Sequence, residues 1–295
     1  MHNKIIIIFI RKQFQNNWTR GANMKTIKLN NGEKIPVIGL GVYKSREGEE
    51  TKNAVKWALE AGYRHIDTAM LYKNEKSVGE AIKESDVARE DIFITTKLWN
   101  DDIRSGNTRK AFMESLERLQ TDYVDLYLIH WPATGFQDAW KELEKLYNEK
   151  KIKTIGVSNF HKNHLEELSK VMTIKPAVNQ IESNIYFNNQ ELIDYCQSEN
   201  IAVEVWRPIG GAGSNMLSNE VINEIGKKYG KSAAQIIIRW HLQRHVIVLP
   251  KSVHKDRIIS NMDVFDFELS CSDMEAINKL DKNQRSGPDP DNFDF

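Results

Sequence analysis

The sequence predicts an α/β fold: a single (β/α)8 TIM barrel with an N-terminal β-hairpin and an irregular C-terminal tail. Three observations predict it, namely eight short apolar runs, an amphipathic stretch after each run, and a length of 295 residues. Continuous apolar strands that alternate with helices indicate a parallel sheet covered on its outer face. Eight such units close into a barrel, and barrel domains often reach this length without splitting.

A β-hairpin is predicted where the regular pattern begins. Its strands are Thr26 to Leu29 and Glu33 to Ile35, and Asn30-Asn31-Gly32 between them is typical of a tight turn. The segment Ser232 to Gln243 is predicted to be an additional helix before the last strand. The eight predicted barrel strands are Val37–Gly41, His65–Ala69, Ile92–Leu98, Val124–His130, Thr154–Val157, Ala177–Ile181, Ala202–Trp206 and Val246–Leu249.

A doubly wound open sheet is the main competing fold, because it is built from the same units. Its dinucleotide-binding version needs Gly-x-Gly-x-x-Gly directly after the first strand. Here that strand ends in Gly39-Leu40-Gly41-Val42-Tyr43-Lys44, without a third glycine. This absence and the count of eight units favour the barrel.

Both ends of the chain depart from the barrel pattern. We expect residues 1–23 to be a non-native or disordered extension, with Met24 as the true start and 24–295 as a single barrel domain. A degenerate signal sequence is the rival interpretation, although the apolar run Ile5 to Ile10 is too short to span a bilayer. The prolines in Gly287-Pro288 and Asp289-Pro290 exclude a regular helix in the tail.

Composition indicates a soluble globular protein, with 40% apolar and 28% charged residues. Lysine plus arginine and aspartate plus glutamate both number 41, so no net charge attracts nucleic acid or an anionic membrane. The only cysteines, Cys196 and Cys271, are far apart and have no metal-ligand spacing around them, which favours a reducing compartment, no disulfide framework and no metal site. We therefore expect a cytoplasmic monomer that binds a small molecule.

Four chemically active side chains follow three neighbouring predicted strands. The second strand ends in Asp67 with Tyr72 close behind, the third ends in Lys97, and the fourth ends in His130. Each residue alone is typical of an ordinary loop or a salt bridge. Barrel active sites lie at the carboxyl ends of the strands, however, so these four are expected to meet at one mouth.

Together the four residues make a proton donor. A free phenol has a pKa of about 10, and an adjacent ammonium lowers that value toward the range useful for general acid catalysis. We expect Lys97 to act in this way on Tyr72, Asp67 to hold Lys97 charged and in place, and His130 to orient a substrate carbonyl. Because this group supplies no electrons, the chemistry requires a hydride-donating cofactor.

The remaining strand ends are suited to such a cofactor. Short polar side chains able to bind a carboxamide occur at Ser158, Asn159 and Gln180, and Trp206 offers a flat face for a ring. Phosphate groups are expected at the loop Gly210-Gly211-Ala212-Gly213 and at Lys251, Ser252 and Arg257, since loops after the last two barrel strands often bind phosphate. Substrate-binding candidates are Tyr43, Trp99 and Trp131, together with His130, because aromatic walls favour a small, partly apolar carbonyl compound.

From Met24 to Phe295 the sequence resembles the aldo-keto reductases. The most specific matching segments, all in the expected order, are Gly62-Tyr63-Arg64-His65-Ile66-Asp67-Thr68-Ala69, Leu128-Ile129-His130-Trp131-Pro132, Ile155-Gly156-Val157-Ser158-Asn159-Phe160 and Leu249-Pro250-Lys251-Ser252. The resemblance implies NADPH dependence and places the catalytic tetrad on Asp67, Tyr72, Lys97 and His130. It also implies that the tail folds over the site.

The resemblance also refines the cofactor and substrate. It places the 2′-phosphate of the adenosine on Lys251, Ser252 and Arg257, and the adenine near Asn261. The nicotinamide is placed on Ser158, Asn159, Gln180 and Trp206. Within the family the chain resembles bacterial enzymes that reduce glyoxal, methylglyoxal and diketones such as 2,5-diketo-D-gluconate. Two departures from the family pattern concern the cofactor. Arg207 stands where the family usually has a small residue after the stacking aromatic, and its side chain either clamps the phosphates or points away from them. Ser260 stands where a glutamate usually contacts the adenine amino group.

The sequence leaves two alternatives to the reductase open. A barrel that holds NADPH as a redox sensor or accessory subunit would bind the cofactor with little turnover. An isomerase or aldolase would use the phosphate-binding loops and would employ Lys97 as a Schiff-base amine.

Overall fold

A small antiparallel sheet begins the part of the chain that this computed structural model describes, residues 19–21, 24–211 and 213–293. Its strands are β1 (Thr19–Gly21), β2 (Met24–Lys28) and β3 (Lys34–Pro36). The last two form the predicted hairpin, which is thereby confirmed. β1 adds a third strand from within the expected extension, whereas residues 1–18, 22 and 23 lie outside the described residues, so the proposed start at Met24 stays a prediction.

The hairpin covers the end of the barrel at which the strands begin. Ile27 and Ile35 pair with each other and are buried. In the turn, the Asn30 side-chain amide donates to the Pro176 carbonyl at 2.9 Å, and that of Asn31 donates to the Lys153 carbonyl at 3.0 Å. These bonds tie the turn to the segments that lead into β8 and β9, so the hairpin is anchored to this end of the barrel.

Eight parallel strands, each hydrogen-bonded to the next in chain order, form the barrel. Backbone bonds also join its first and last strands, because Gly39 N donates to Val248 O at 2.9 Å and Val248 N donates to Val37 O at 3.0 Å. The predicted TIM barrel is therefore confirmed. The strands are β4 (Leu40–Gly41), β5 (His65–Asp67), β6 (Phe93–Leu98), β7 (Leu126–Ile129), β8 (Ile155–Ser158), β9 (Val178–Glu182), β10 (Ala202–Trp206) and β11 (Ile247–Leu249).

Helices cover the outer face of the barrel, and in the described residues none is long and apolar enough to cross a membrane. Within those ranges they are α1 (Glu49–Glu60), α2 (Glu75–Lys83), α3 (Asn100–Arg104), α4 (Thr108–Leu119), α5 (Phe136–Asn148), α6 (Lys162–Ser169), α7 (Gln190–Ser198), α8 (Glu220–Tyr229), α9 (Ala233–Gln243), α10 (Lys255–Met262) and α11 (Cys271–Asn278).

Three helices of the described residues, α3, α9 and α11, are additional to the strand–helix alternation, and α3, directly after β6, was not predicted. The additional helix predicted before the last strand is α9, and its start is fixed by a reciprocal cap in which Ser232 Oγ accepts from Gln235 N. Helix α11 was not predicted. Its signal was present as Ser270 three residues before Asp273, and Ser270 Oγ accepts from the Asp273 backbone N–H.

Close packing of α2 against α4 generates a stability prediction at Gly79. A Cβ at this position would lie 2.4 Å from the Leu119 carbonyl oxygen, which belongs to the backbone and has little freedom to move. We expect Gly79→Ala to lower the free energy of unfolding by about 1–3 kcal/mol, because the added methyl group overpacks the contact. The clash outweighs the gain of about 1 kcal/mol that alanine brings over glycine at an open helix position. Urea unfolding measures this change. Lys76→Ala, on the exposed face of α2, is the control and should change stability by less than about 0.5 kcal/mol; a Gly79→Ala protein as stable as the parent would contradict the prediction.

Candidate active site

The four predicted catalytic residues meet at the carboxyl end of the barrel. Asp67 ends β5, Tyr72 ends a 3-10 turn that follows it, Lys97 lies near the end of β6, and His130 directly follows β7. The β5, β6 and β7 strands are neighbours in the sheet, so their ends lie side by side. The barrel thus brings together residues that are far apart in the chain.

Lys97 is the centre of this group. Its side chain is fully buried, and its Nζ donates to both Asp67 carboxylate oxygens and to the Thr68 carbonyl, each at 2.8 Å. The Tyr72 hydroxyl lies 3.4 Å from the same nitrogen. Burial opposes the charge, but the attraction of Asp67 outweighs it, and the pKa of Lys97 is raised. Lys97 is therefore an ammonium.

The pKa of Tyr72 corrects one expectation drawn from the sequence. We predicted that Lys97 lowers this pKa below its ordinary value, whereas burial raises the pKa of Tyr72 to about 12. Lys97 does act in the lowering direction, but the loss of water around the phenol is larger, and the Asp67 charge adds to it. Tyr72 is consequently a fully protonated donor at neutral pH.

His130 is a neutral imidazole. Burial, with the Lys97 charge added, holds its pKa well below the ordinary value. Its ring meets the edge of Tyr72 at a centroid distance of 5.8 Å and that of Trp99 at 5.2 Å. Its Nδ1 is buried and has no hydrogen-bond partner among the described residues. The site therefore presents two uncharged polar rings beside one ammonium.

The residues predicted to bind a nicotinamide lie on the next strands around the mouth. Ser158 Oγ donates to the Gln180 carbonyl at 3.0 Å. The Asn159 side-chain amide donates to the His130 carbonyl at 3.0 Å, and its oxygen accepts from Trp206 Nε1 at 2.9 Å. Asn159 holds a left-handed φ of 62°, which this residue type tolerates better than most. One hydrogen-bonded chain thus connects His130 with the Trp206 ring.

Arg207 points towards the C-terminal tail. One guanidinium nitrogen donates to the Ser286 carbonyl at 2.9 Å, and the group lies 5.6 Å from the centre of the Trp206 ring. Arg207 Nε also borders Gly211, where it would lie 3.8 Å from an added Cβ. Arg207 therefore contacts the tail and also borders the loop expected to bind phosphate, so both orientations considered from the sequence stay open. Ala212, in the same loop, lies outside the described residues.

The predicted phosphate-binding residues surround the start of α10. Lys251 and Arg257 are exposed, and neither has a carboxylate within ion-pair distance in the described ranges. Ser252 is buried and its Oγ accepts from His254 N at 3.1 Å. Asn261 is buried on α10. On the same helix, the Ser260 hydroxyl donates to the Arg257 carbonyl at 3.2 Å. Two unpaired cations beside a helix N-terminus fit a phosphate group.

The predicted substrate-binding aromatic residues line the mouth above the tetrad. Tyr43 lies against Tyr72 with ring centroids 4.9 Å apart, and Trp99 contacts His130. Trp131 stacks on Phe293 at 3.8 Å with an interplanar angle of 9°. Phe293, which the sequence did not single out, also meets Trp99 edge-on at 6.5 Å. The tail therefore contributes one wall of the mouth.

The tail is fixed at two points that the sequence did not reveal. Ser286 N and Gly287 N donate to the two carboxylate oxygens of Glu182, at 2.7 and 3.1 Å. Further along, Asp291 accepts a bond of 2.7 Å from His161 Nδ1 on the loop before α6. These partners lie more than 100 positions apart in the chain, and no local spacing signals such pairs.

Burial of the Lys97–Asp67 ion pair generates a second stability prediction. Asp67→Asn leaves a buried ammonium and Lys97→Met leaves a buried carboxyl group, so each variant should lose about 3 kcal/mol of unfolding free energy. The double variant should lose less than the sum, because it leaves neither charge uncompensated. Urea unfolding of the four proteins measures the coupling. Strictly additive losses would show that the two groups do not stabilise each other.

Comparison with known proteins places the chain among reductases. Glyoxal reductase of Bacillus subtilis (strain 168) is 52% identical over 271 residues, which cover 92% of this chain and 98% of that protein. Methylglyoxal reductase DkgA of Escherichia coli (strain K12) is 45% identical over 275 residues, covering 92% and 99%. The crystal structure of MGS-M4, an aldo-keto reductase enzyme from a Medee basin deep-sea metagenome library, superposes with a TM-score of 0.89 at 45% identity, covering 91% of this chain and all of that one.

The similarity extends over the barrel and over every element that carries a tetrad residue. Residues 37–282 match the sequence model of the Aldo/keto reductase family, a range that begins just before β4 and ends beyond α11. Relatives are matched over nearly their whole length, so the likeness is not confined to a shared motif. The chain therefore belongs to the aldo/keto reductase family and is an oxidoreductase.

Proposed function

We propose that this protein reduces small aldehydes or ketones to alcohols, with NADPH as the hydride donor and Tyr72 as the general acid. The substrates proposed are 2-oxoaldehydes such as glyoxal and methylglyoxal, and related diketones. The names of the relatives support this class, and so do the aromatic walls formed by Tyr43, Trp99 and Trp131. The protein is proposed to act as a monomer.

One observation carries the proposal: a buried ammonium lies beside a neutral phenol and a neutral imidazole at the carboxyl end of the barrel. Lys97 Nζ is 3.4 Å from the Tyr72 hydroxyl, and the Tyr72 and His130 rings are in edge contact. A carbonyl oxygen held between these rings would accept hydrogen bonds from both. This arrangement favours the movement of negative charge onto that oxygen.

Each residue has a distinct part in the reaction. Bound NADPH supplies the hydride. The neutral imidazole of His130 donates to the carbonyl oxygen and orients it, and the Tyr72 hydroxyl then gives its proton to the developing alkoxide. A phenol with a raised pKa can still do this, because an alkoxide is a stronger base than a phenolate. Lys97 stabilises the phenolate that remains, and Asp67 holds Lys97 at 2.8 Å.

The residues around the mouth have the chemistry that NADPH requires. The half-buried Trp206 ring, oriented by Asn159, is suited to stack on nicotinamide, while Ser158 and Gln180 lie beside it. The exposed cations Lys251 and Arg257 are suited to the 2′-phosphate, with Asn261 near the adenine. Arg207 and Gly211 would border the pyrophosphate, where Arg207 also contacts the tail.

The state of Lys97 counts against the Schiff-base alternative. A Schiff-base lysine must lose its proton to attack a carbonyl, yet Lys97 is buried, paired with Asp67, and has a raised pKa. A redox sensor could have the same contacts as a reductase, so a measurement of turnover is needed to distinguish the two.

Tyr72→Phe tests the proton donor. The change removes only the hydroxyl, and the loss of a general acid should lower kcat for methylglyoxal reduction by roughly 100- to 10,000-fold. The decrease in NADPH absorbance measures the rate, and NADPH binding should persist. Tyr43→Phe, on the neighbouring ring, is the matched control and should keep most of the activity. Equal rates for the parent and Tyr72→Phe would remove Tyr72 from the mechanism, and negligible turnover of the parent with a carbonyl panel would favour the sensor.

Arg257→Ala tests the 2′-phosphate site. Loss of a charge-assisted hydrogen bond of about 1.5–3 kcal/mol should weaken NADPH binding by roughly 10- to 100-fold and leave NADH binding nearly unchanged. Quenching of tryptophan fluorescence measures both dissociation constants. Lys255→Ala is the control, because this lysine lies on the same helix but is paired with Glu60 at 3.1 Å. If Arg257→Ala weakens both cofactors alike, its assignment to the 2′-phosphate is wrong.

A further inference from the structure

A second buried carboxyl group lies next to the tetrad, on the strand that ends in Trp206. Glu204 lies in the middle of β10 with no exposed surface. The side-chain nitrogen of Gln180 donates to Glu204 Oε2 at 2.9 Å and to Asp67 Oδ2 at 2.8 Å. One amide thus bridges two carboxyl groups, and a hydrogen-bonded chain runs from Glu204 through Gln180, Asp67 and Lys97 to Tyr72.

This arrangement determines which atom Gln180 can offer to a ligand. Both of its N–H groups are engaged, and turning the amide over would place its oxygen against the Asp67 carboxylate, which can only accept hydrogen bonds. The oxygen Oε1 is therefore the atom left to meet a ligand. If Glu204 lost its role as acceptor, the amide would be held only by Asp67.

The charges around Glu204 do not balance if both carboxyl groups are ionised. The groups that face it are His65 at 3.5 Å, the Asp67 carboxylate across Gln180, and the Lys97 ammonium. His65 is neutral, because burial lowers its pKa to about 3. A single ammonium thus serves two buried carboxyl groups. Burial raises the pKa of Asp67 as well, but Asp67 has that ammonium in direct contact through both oxygens, so the remaining proton belongs on Glu204.

We propose that Glu204 is a positioning residue that carries a proton at neutral pH and fixes the Gln180 amide between itself and Asp67. In this state it adds an acceptor for Gln180 without adding a second negative charge beside Lys97. The part of this inference that concerns cofactor binding rests on the proposed function, whereas the protonation state of Glu204 does not.

Ionisation of Glu204 has a direct consequence for the site. Burial and the Asp67 charge raise its pKa to about 8, so the carboxylate forms as the pH passes that value. A new negative charge there would favour the oxidised, positively charged nicotinamide over the reduced, neutral one. The preference between NADP+ and NADPH should therefore change with pH.

The first measurement follows the proton in the cofactor-free protein. Infrared difference spectra of protein labelled with 13C-glutamate should show a protonated carboxyl band at pH 6.5 that disappears as the pH passes about 8. Glu204→Gln should lack this band, and Glu144→Gln, which changes a buried carboxyl group on α5, should keep it. A wild-type spectrum without a protonated glutamate band at pH 6.5 would overturn the proposal, whether or not any variant folds.

The second measurement follows binding from pH 6.5 to 9.5. For the wild type, the ratio of the NADPH to the NADP+ dissociation constant should rise by at least about fivefold over this range. In Glu204→Gln, which resembles the protonated acid, the ratio should stay flat and match the wild type at pH 6.5. Glu204→Leu, which removes the acceptor, should weaken binding of both forms at every pH.

The outcomes separate this inference from the proposed function. Failure of the wild type to bind either form of the cofactor would refute the proposed function and leave the infrared result to decide the protonation of Glu204. A Glu204→Gln protein with the same pH-dependent ratio as the wild type would overturn the positioning role. A purely structural role for Glu204 would lower stability in Glu204→Leu without making the binding ratio depend on pH.

Discussion

The site depends on one constraint, the burial of the Lys97 ammonium in the barrel. A charge without contact with water is stable only when paired and hydrogen-bonded. The two oxygens of Asp67 and the Thr68 carbonyl provide these contacts at 2.8 Å. They come from the end of β5, which pairs directly with β6. The fold must therefore keep these two strands in register, and a shift of one residue would turn Lys97 towards the helices.

The same burial sets the protonation states of the neighbouring rings. It raises the pKa of Tyr72 to about 12 and holds that of His130 well below its ordinary value. Both rings are consequently neutral at neutral pH, and both can donate a hydrogen bond. The Lys97 charge lowers the pKa of Tyr72, but by less than desolvation raises it. Its main effect is exerted on the phenolate, the form that exists only after the proton has left.

Much of this could be predicted from the sequence, because strand ends of a parallel barrel meet at one edge whatever the loops do. The meeting of Asp67, Tyr72, Lys97 and His130 at one mouth follows from that rule, whereas the eight runs follow from hydrophobic patterning and the hairpin from its Asn30-Asn31-Gly32 turn. The sign of the Tyr72 shift does not, because it depends on how much water the fold removes. Glu204 did leave a signal, as a charged residue inside an apolar strand, but its partners could be identified only when β9 and β10 were paired.

The tail shows why the aromatic mouth is harder to predict than the tetrad. Its position depends on contacts between distant residues, with Glu182 holding Ser286 and Gly287, and with His161 holding Asp291. Gly287 lies so close to Trp206 that an added Cβ would be 2.4 Å from the ring. The ring suited to nicotinamide and the Phe293 wall suited to the substrate are therefore positioned by the same short segment. Any movement of this segment would alter both sides of the site, whereas the tetrad, held by the barrel strands, would remain in place.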